Sequence, residues 1–156
     1  MFLAYRVSRR PMLPSKKLFV LSFPSTHLAE SVKLIDWGLD VWLLYSFIDV
    51  EKGNKLFNSG FVFEKVVSCK KLGDAYVAAS YDGVHDQVVE ITDSEWAERL
   101  QRDFHGGRAW PKELHHYAIF FENNGLFEFY ASSVNALPIG EGLIDNLSSE
   151  VITHQH

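Results

Sequence analysis

Very few residue spacings in this chain match known chemistry. The glycines never fall into the GxxxxGK[ST] or GxGxxG patterns that cradle phosphates, and there is no GxSxG elbow or HExxH metal pair. His115 and His116 are adjacent, so on a strand they point to opposite faces and cannot share a metal ion. His154 and His156 are two residues apart but lie in a polar tail. The single Cys69 excludes an internal disulfide and a cysteine-rich zinc site. Neither a metal nor a cofactor is expected.

The acid–base candidates are Asp82, His85 and Asp86 in YDGVHDQ, and Glu122 and Glu128 further on. Carboxylates do acid–base work when their surroundings push their pKa values apart. The DGVHD stretch reads more simply as a polar turn. Glu128, set among aromatic residues, is a candidate for partial desolvation, although an exposed edge carboxylate is the simpler reading. Cys69 precedes Lys70 and Lys71, whose charge lowers a thiol pKa, but a lone strand cysteine is usually a small packed hydrophobe. His105-Gly106-Gly107-Arg108-Ala109-Trp110 offers a cation, an imidazole and an indole in one loop, suited to an anion or a partner or to a plain connection. No residue is assigned a catalytic role.

The elements that must position these residues are legible in part. Lys17 to Phe23 reads as a strand ended by Pro24, with Phe2 to Val7 as an edge strand before it. Ser25 or Thr26 caps an expected helix whose apolar face is Leu28, Val32 and Ile35 and whose end is Gly38. Val41 to Val50 is a strand, EKGN at 51–54 a turn, and Gly60 to Val67 an alternating strand. Asp74 to Tyr81 and Gln87 to Ile91 complete a meander around Asp82-Gly83. Thr92-Asp93-Ser94-Glu95 has the form of a capping box, with Thr92 as cap, ahead of the stripe Trp96, Leu100, Phe104. His115 to Glu122 and Phe127 to Ser133 then form a hairpin about Asn124-Gly125 as a two-residue turn. That turn pairs Phe121 with Glu128 and Phe120 with Phe129. Tyr117, Ile119, Phe121, Glu128 and Tyr130 then share one face, and His116, Ala118, Phe120, Phe127, Phe129 and Ala131 the other.

The expected architecture is one α+β domain over residues 1–138, a mainly antiparallel and curled sheet with two packed helices, followed by an appendage at 139–156. Both hairpin faces are apolar, which implies a sheet covered on both sides, or covered on one side and used for binding a partner on the other. Tyr117, Phe121, Glu122, Glu128 and Tyr130 are the residues expected to supply the contact, with a homodimer as the commonest solution. A competing arrangement is an aromatic ligand pocket between sheet and helix, lined by Trp37, Trp42, Tyr45, Trp96 and Trp110.

The 156 residues are 47% hydrophobic and 22% charged, the composition of an ordinary globular domain. The opening MFLAYRVSRR lacks a signal-peptide core, and no stretch approaches the ~20 apolar residues of a membrane helix, so a cytoplasmic location is expected. The net charge is −5. Residues 1–17 carry Arg6, Arg9, Arg10, Lys16 and Lys17 and no acid, while Glu113 to His156 holds six acids and no Lys or Arg. That balance favours a basic protein partner over nucleic acid.

The sequence Ser94-Glu95-Trp96, then Leu114-His115-His116-Tyr117-Ala118-Ile119-Phe120-Phe121, then Phe127-Glu128-Phe129-Tyr130-Ala131 resembles small uncharacterised bacterial proteins. Those carry an "EW" helix, an "L-x-H-Y-x-I-x-F" strand and an "F-E-x-x-A" strand, and Phe61 to Val67 is similar to their preceding strand. The resemblance covers about half the chain and brings no agreed function. Some small acidic proteins of this kind neutralise toxins, which makes an immunity-like role the analogy. The expected function is therefore a non-enzymatic protein that binds a basic protein partner or itself, with small-molecule binding as the alternative.

Overall fold

Alternating aromatic and polar residues build two antiparallel sheets that face each other. The computed structural model describes residues 14–21, 23–25, 28, 32–73, 84–103 and 113–142. In chain order these form β1 (Ser15–Val20), β2 (Lys33–Asp36), β3 (Val41–Asp49), β4 (Lys55–Glu64), β5 (Ser68–Leu72) and β6 (Gln87–Ile91). There follow α1 (Glu95–Asp103), β7 (His115–Phe121), β8 (Gly125–Ala131), β9 (Ser133–Ala136) and β10 (Gly140–Glu141). One sheet has the order β1-β6-β7-β8-β5; the other runs β10-β4-β3-β2, with β9 also on β4. Among the described residues no helix is long and apolar enough to cross a membrane.

This corrects the expected α+β fold with two helices: 59% of the described residues are strand, 11% are helical, and one helix is present. The segment read as a helix ending at Gly38 contains β2, which pairs antiparallel with β3, while Leu28 bridges to Phe47. Its apolar residues sit three and four apart, but only three of them mark the face, too few to outweigh a hairpin partner. Gly38, at φ 93°, lies in the β2–β3 turn, where Trp37 N–H donates to the Asp40 carbonyl and Gly38 N–H to Asp36 Oδ1. Its left-handed backbone belongs to a turn and not to a helix end.

The strands change sheets at short corners. After β4, Lys65 takes a positive φ, Val66 N–H donates to the Leu39 carbonyl, and Val67 N–H donates to the Tyr130 carbonyl. Between β8 and β9, Ser132 N–H donates to the Glu64 carbonyl. Pairing also runs past Pro138, because β10 joins β4 through Gly140↔Asn58 and Glu141↔Phe57. The early strand at Phe2 to Val7 and that at Asp74 to Tyr81 lie outside the described residues.

The inter-sheet core holds Leu43, Tyr45, Phe47, Phe61 and Phe63 from one sheet against Tyr117, Ile119, Phe121, Phe127 and Phe129 from the other. Phe63 and Phe129 stack with ring centroids 3.7 Å apart, and Tyr45 meets Phe121 at 5.7 Å. A smaller cluster of Val84, Val89, Ile91, Ala118 and Leu126, joined by Phe120, lies on the opposite face of the β6–β8 sheet. Both hairpin faces are thus buried within a single chain, which removes the motive for expecting a homodimer.

Two outcomes follow from this core. Phe63→Ala should lower the unfolding free energy by about 3–5 kcal/mol, the range for truncating a buried large aromatic, measured by chemical denaturation. Burial, with Glu90 adding to it, pushes the Tyr117 phenol up to about 12, and burial also raises Tyr45 against a hydrogen bond to Ser59. A phenol whose folded pKa lies above its unfolded value contributes stability below pH ~10 that is lost as pH rises toward the folded value. Stability should therefore fall between pH ~10 and ~12, and Tyr117→Phe should flatten that fall in denaturation curves taken across the range.

Candidate functional site

The outer face of β6, β7 and β8 carries α1. The helix begins after Ser94, whose Oγ accepts from Ala97 N–H at 3.0 Å and whose carbonyl accepts from Glu98 N–H at 3.1 Å. Ser94 is therefore the N-cap, in place of the expected Thr92, and the residue at the capping-box position is Ala97, whose methyl group has no acceptor to reach back with. Thr92 instead donates its N–H to the Pro14 carbonyl.

A second bond makes Ser94 more than a cap. Its Oγ lies 2.6 Å from His116 Nδ1, and His116 Nε2 lies 2.8 Å from Glu128 Oε1. Glu128 Oε2 lies 3.2 Å from Lys70 Nζ, and that ammonium sits 4.3 Å from the centroid of the Trp96 ring. Trp96 meets the His116 ring edge-on at 4.8 Å. Nearby, Gln101 Nε2 donates to the Tyr130 hydroxyl at 2.7 Å, tying the helix to β8 as well as to β7. One tautomer satisfies the whole chain. Nε2–H donates to the Glu128 carboxylate, Nδ1 accepts from the Ser94 hydroxyl, and Ser94 Oγ accepts from Ala97.

His116 is 4% exposed and Glu128 3% exposed. Their meeting overturns the face assignment made from sequence. The turn is Phe121 to Asn124, closed by Asn124 N–H to the Phe121 carbonyl, with Asn123 at φ 62° in its third position, the pattern of a type II turn. The register is accordingly Phe121↔Gly125, Ala118↔Glu128 and His116↔Tyr130. Phe121 was expected opposite Glu128, and a slip by an odd number of residues moves β8 side chains to the other face. Glu128 and Tyr130 now lie with His116, while Phe127 and Phe129 join Tyr117.

Two clefts open beside this chain. One, of about 340 Å3, lies between α1 and β6–β7 and is lined by Glu90, Asp93, Ser94, Glu98, His115 and His116 among others, with no Lys or Arg among the described residues of its wall. His115 Nδ1 lies 2.6 Å from Glu90 Oε1. The other, of about 470 Å3, is bounded by Pro14, Asp93, Ser94, Trp96, Arg99 and His116. Ser94 and His116 belong to both.

The remaining candidates are dispersed. Tyr117 and Phe121 are in the inter-sheet core, Glu128 and Tyr130 are buried on the outer face, and Glu122 is half-exposed in the turn, so these five share no solvent-facing patch. Of the aromatic set, Tyr45 is inter-sheet core, and Trp42 pairs with Ile35 and Val62 on the outer side of the second sheet. Trp37 follows β2, with its indole nitrogen buried and unpaired among the described residues. Trp96 is on α1, and Trp110 lies outside the described residues, as do Asp82, His105, Arg108, His154 and His156. The described members of the aromatic set line no common cavity.

His85 and Asp86 do meet Glu122, at the far end of β7. His85 Nδ1 is 3.2 Å from Asp86 Oδ2, and its Nε2 is 4.0 Å from Glu122 Oε2. Asp86 Oδ1 accepts from Ser25 N–H, while Ser25 Oγ accepts from Glu122 N–H, so the cluster pins the chain after β1 to the hairpin turn. Burial and Asp36 push the Cys69 thiol up, correcting the expectation that Lys70 and Lys71 lower it. Among the described residues no group of three or more His, Cys, Asp or Glu is placed to hold a metal ion.

Sequence reading singled out Glu128 but passed over Ser94, His116, Lys70 and Gln101 as one set. The usable signal was Asn123-Asn124-Gly125, which allows either of two turns and hence either of two face assignments. Comparison with protein-family models, with curated proteins and with solved structures gave no match.

Removing the Ser94 hydroxyl deletes a helix cap and leaves buried His116 Nδ1 without its donor. Ser94→Ala should cost about 2–4 kcal/mol, from ~1 kcal/mol for the cap and ~1–3 kcal/mol for the orphaned nitrogen. Thr92→Ala should stay within ~0.5 kcal/mol, as for an exposed residue whose side chain has no partner among the described residues. Urea denaturation of the pair checks the order; equal losses would return the cap to Thr92.

Proposed function

We propose that this is a binding protein for a basic protein partner, acting in the cytoplasm, and that the cleft between α1 and β6–β7 receives the partner's cationic side chains. The observation that carries this reading is the composition of the wall: Glu90, Asp93 and Glu98 converge there without a Lys or Arg among the described lining residues. Carboxylates grouped in a concave surface focus the field and draw a cation in, and guanidinium groups pair with them in bidentate fashion.

The acidic surface thus differs from the one the C-terminal charge run suggests. Glu128 is occupied by Lys70 and His116, and Glu122 is near His85. Glu113 and Glu141 are exposed, while Asp145 and Glu150 lie outside the described residues. The cleft acids come instead from β6, the residue before the cap, and the first turn of α1. There they also favour the positive end of the helix, so removing them has a small structural cost as well.

The test uses a defined probe, an arginine-rich peptide, and two variants of equal charge. Glu90→Gln/Asp93→Asn/Glu98→Gln should weaken binding by about tenfold or more, and affinity should fall as salt screens the site. Glu51→Gln/Asp103→Asn/Glu141→Gln removes the same number of charges from exposed positions elsewhere and should leave affinity within about twofold. Equal losses in the two variants, measured by calorimetry at two salt concentrations, would reduce the cleft to a general acidic surface and sink the reading.

A further inference from the structure

The Ser94–His116–Glu128 chain has the connectivity of a nucleophile, its base and the group that orients the base. We infer that Ser94 is the nucleophile of an acyl-transfer centre that cleaves carboxylic esters entering the cleft beside α1. The inference does not rest on the partner reading, since it concerns covalent chemistry at one oxygen.

Three observations carry it. The hydroxyl is 2.6 Å from His116 Nδ1, within reach for proton transfer, and the far ring nitrogen is 2.8 Å from Glu128. A carboxylate at Nε2 fixes the tautomer that leaves Nδ1 free to accept a proton, and it stabilises the imidazolium that results. Ser94 and His116 both line the two clefts, so a substrate can approach Oγ from solvent although the base itself is buried. Lastly, Ser94 caps a nine-residue helix, so the N–H groups of Glu95 and Trp96 fall in a first turn that has no intrahelical acceptors. Those groups and the positive end of the helix are suited to an oxyanion formed at this point.

The steps balance without a further reagent besides water. Ser94 Oγ forms a bond to the ester carbonyl carbon as its proton passes to His116 Nδ1, and the carbonyl electron pair moves onto oxygen. Collapse of that intermediate breaks the carbon–alkoxy bond, the alkoxide takes the proton from Nδ1, and acyl-Ser94 and an alcohol remain. Water then adds to the acyl carbon and gives its proton to Nδ1. The second collapse restores Ser94 Oγ–H and releases the carboxylic acid. Ser94 and His116 are the catalytic residues; Glu128 is a positioning residue. Glu90, Asp93 and Glu98 favour esters that carry a positive charge, so acetylcholine should be cleaved faster than its neutral isostere 3,3-dimethylbutyl acetate.

The experiment treats the full chain with a fluorophosphonate probe and maps the adduct by mass spectrometry, alongside turnover of p-nitrophenyl acetate. A phosphonyl adduct on Ser94 is expected, with turnover at least about a hundredfold above that of Ser94→Asn, which removes the nucleophile that His116 activates. Asparagine keeps a cap acceptor for Ala97 N–H while removing the hydroxyl, so a structural role alone would leave its residual turnover equal to wild type. If Ser94→Asn fails to fold, the wild-type adduct map decides by itself. An unlabelled Ser94, or labelling confined to another residue, would overturn the inference and leave the three bonds as a clamp that holds the helix to the sheet.

Discussion

The register of β7 against β8 is the constraint on which the rest of the molecule depends. Because side chains alternate along a strand, the turn at Phe121 to Asn124 decides at a stroke which half of β8 faces the second sheet. With Phe121 opposite Gly125, Phe127 and Phe129 face inward and stack against Phe63, while Glu128 and Tyr130 face outward under α1. The opposite parity would drive a carboxylate between two aromatic layers. Burying an unpaired charge there costs several kcal/mol, so the hydrophobic core and the polar chain select the same register for different reasons.

The polar chain on the outer face also explains how a short helix holds its place. α1 has no fully buried residue, so apolar packing alone anchors it weakly. Its cap oxygen is instead bound to His116, its Gln101 to the Tyr130 hydroxyl, and its Trp96 lies against both Lys70 and His116. A buried carboxylate is costly unless each oxygen is matched. Here Oε1 meets an imidazole and Oε2 an ammonium, so the pairing fixes one orientation of helix on sheet. The Ser94 oxygen is placed by the same bonds at the mouth of two clefts, which is how a structural clamp and a reactive geometry come to share residues.

The two ends of β7 divide the polar groups. At the Phe121 end, His85, Asp86, Glu122 and Ser25 tie a loop to the turn; at the His115 end, Glu90, Asp93 and Glu98 leave their charge facing a cleft. The difference lies in what surrounds the carboxylates. Asp86 has backbone and imidazole partners and Glu90 has His115, whereas Asp93 and Glu98 meet no Lys or Arg among the described residues that line the cleft between α1 and β6–β7.

The sequence by itself determined the local elements whose cause is local. The KGN turn after β3, the Val41–Asp49 strand, the Gln87–Ile91 strand and the helix after Ser94 follow from glycine, β-branched runs and capping oxygens acting over a few residues. What sequence could not decide was any choice between near-equal local options. Asn123-Asn124-Gly125 permits two turns, and Thr92 and Ser94 both offer a cap. Leu28, Val32 and Ile35 mark a helical face only until β3 supplies a pairing edge. In each case the deciding term comes from residues far along the chain: His116 draws in Ser94, the second sheet draws in Phe127 and Phe129, and β3 recruits β2. Tertiary contacts settle these because the local alternatives differ by about 1 kcal/mol, less than the burial that each long-range contact brings.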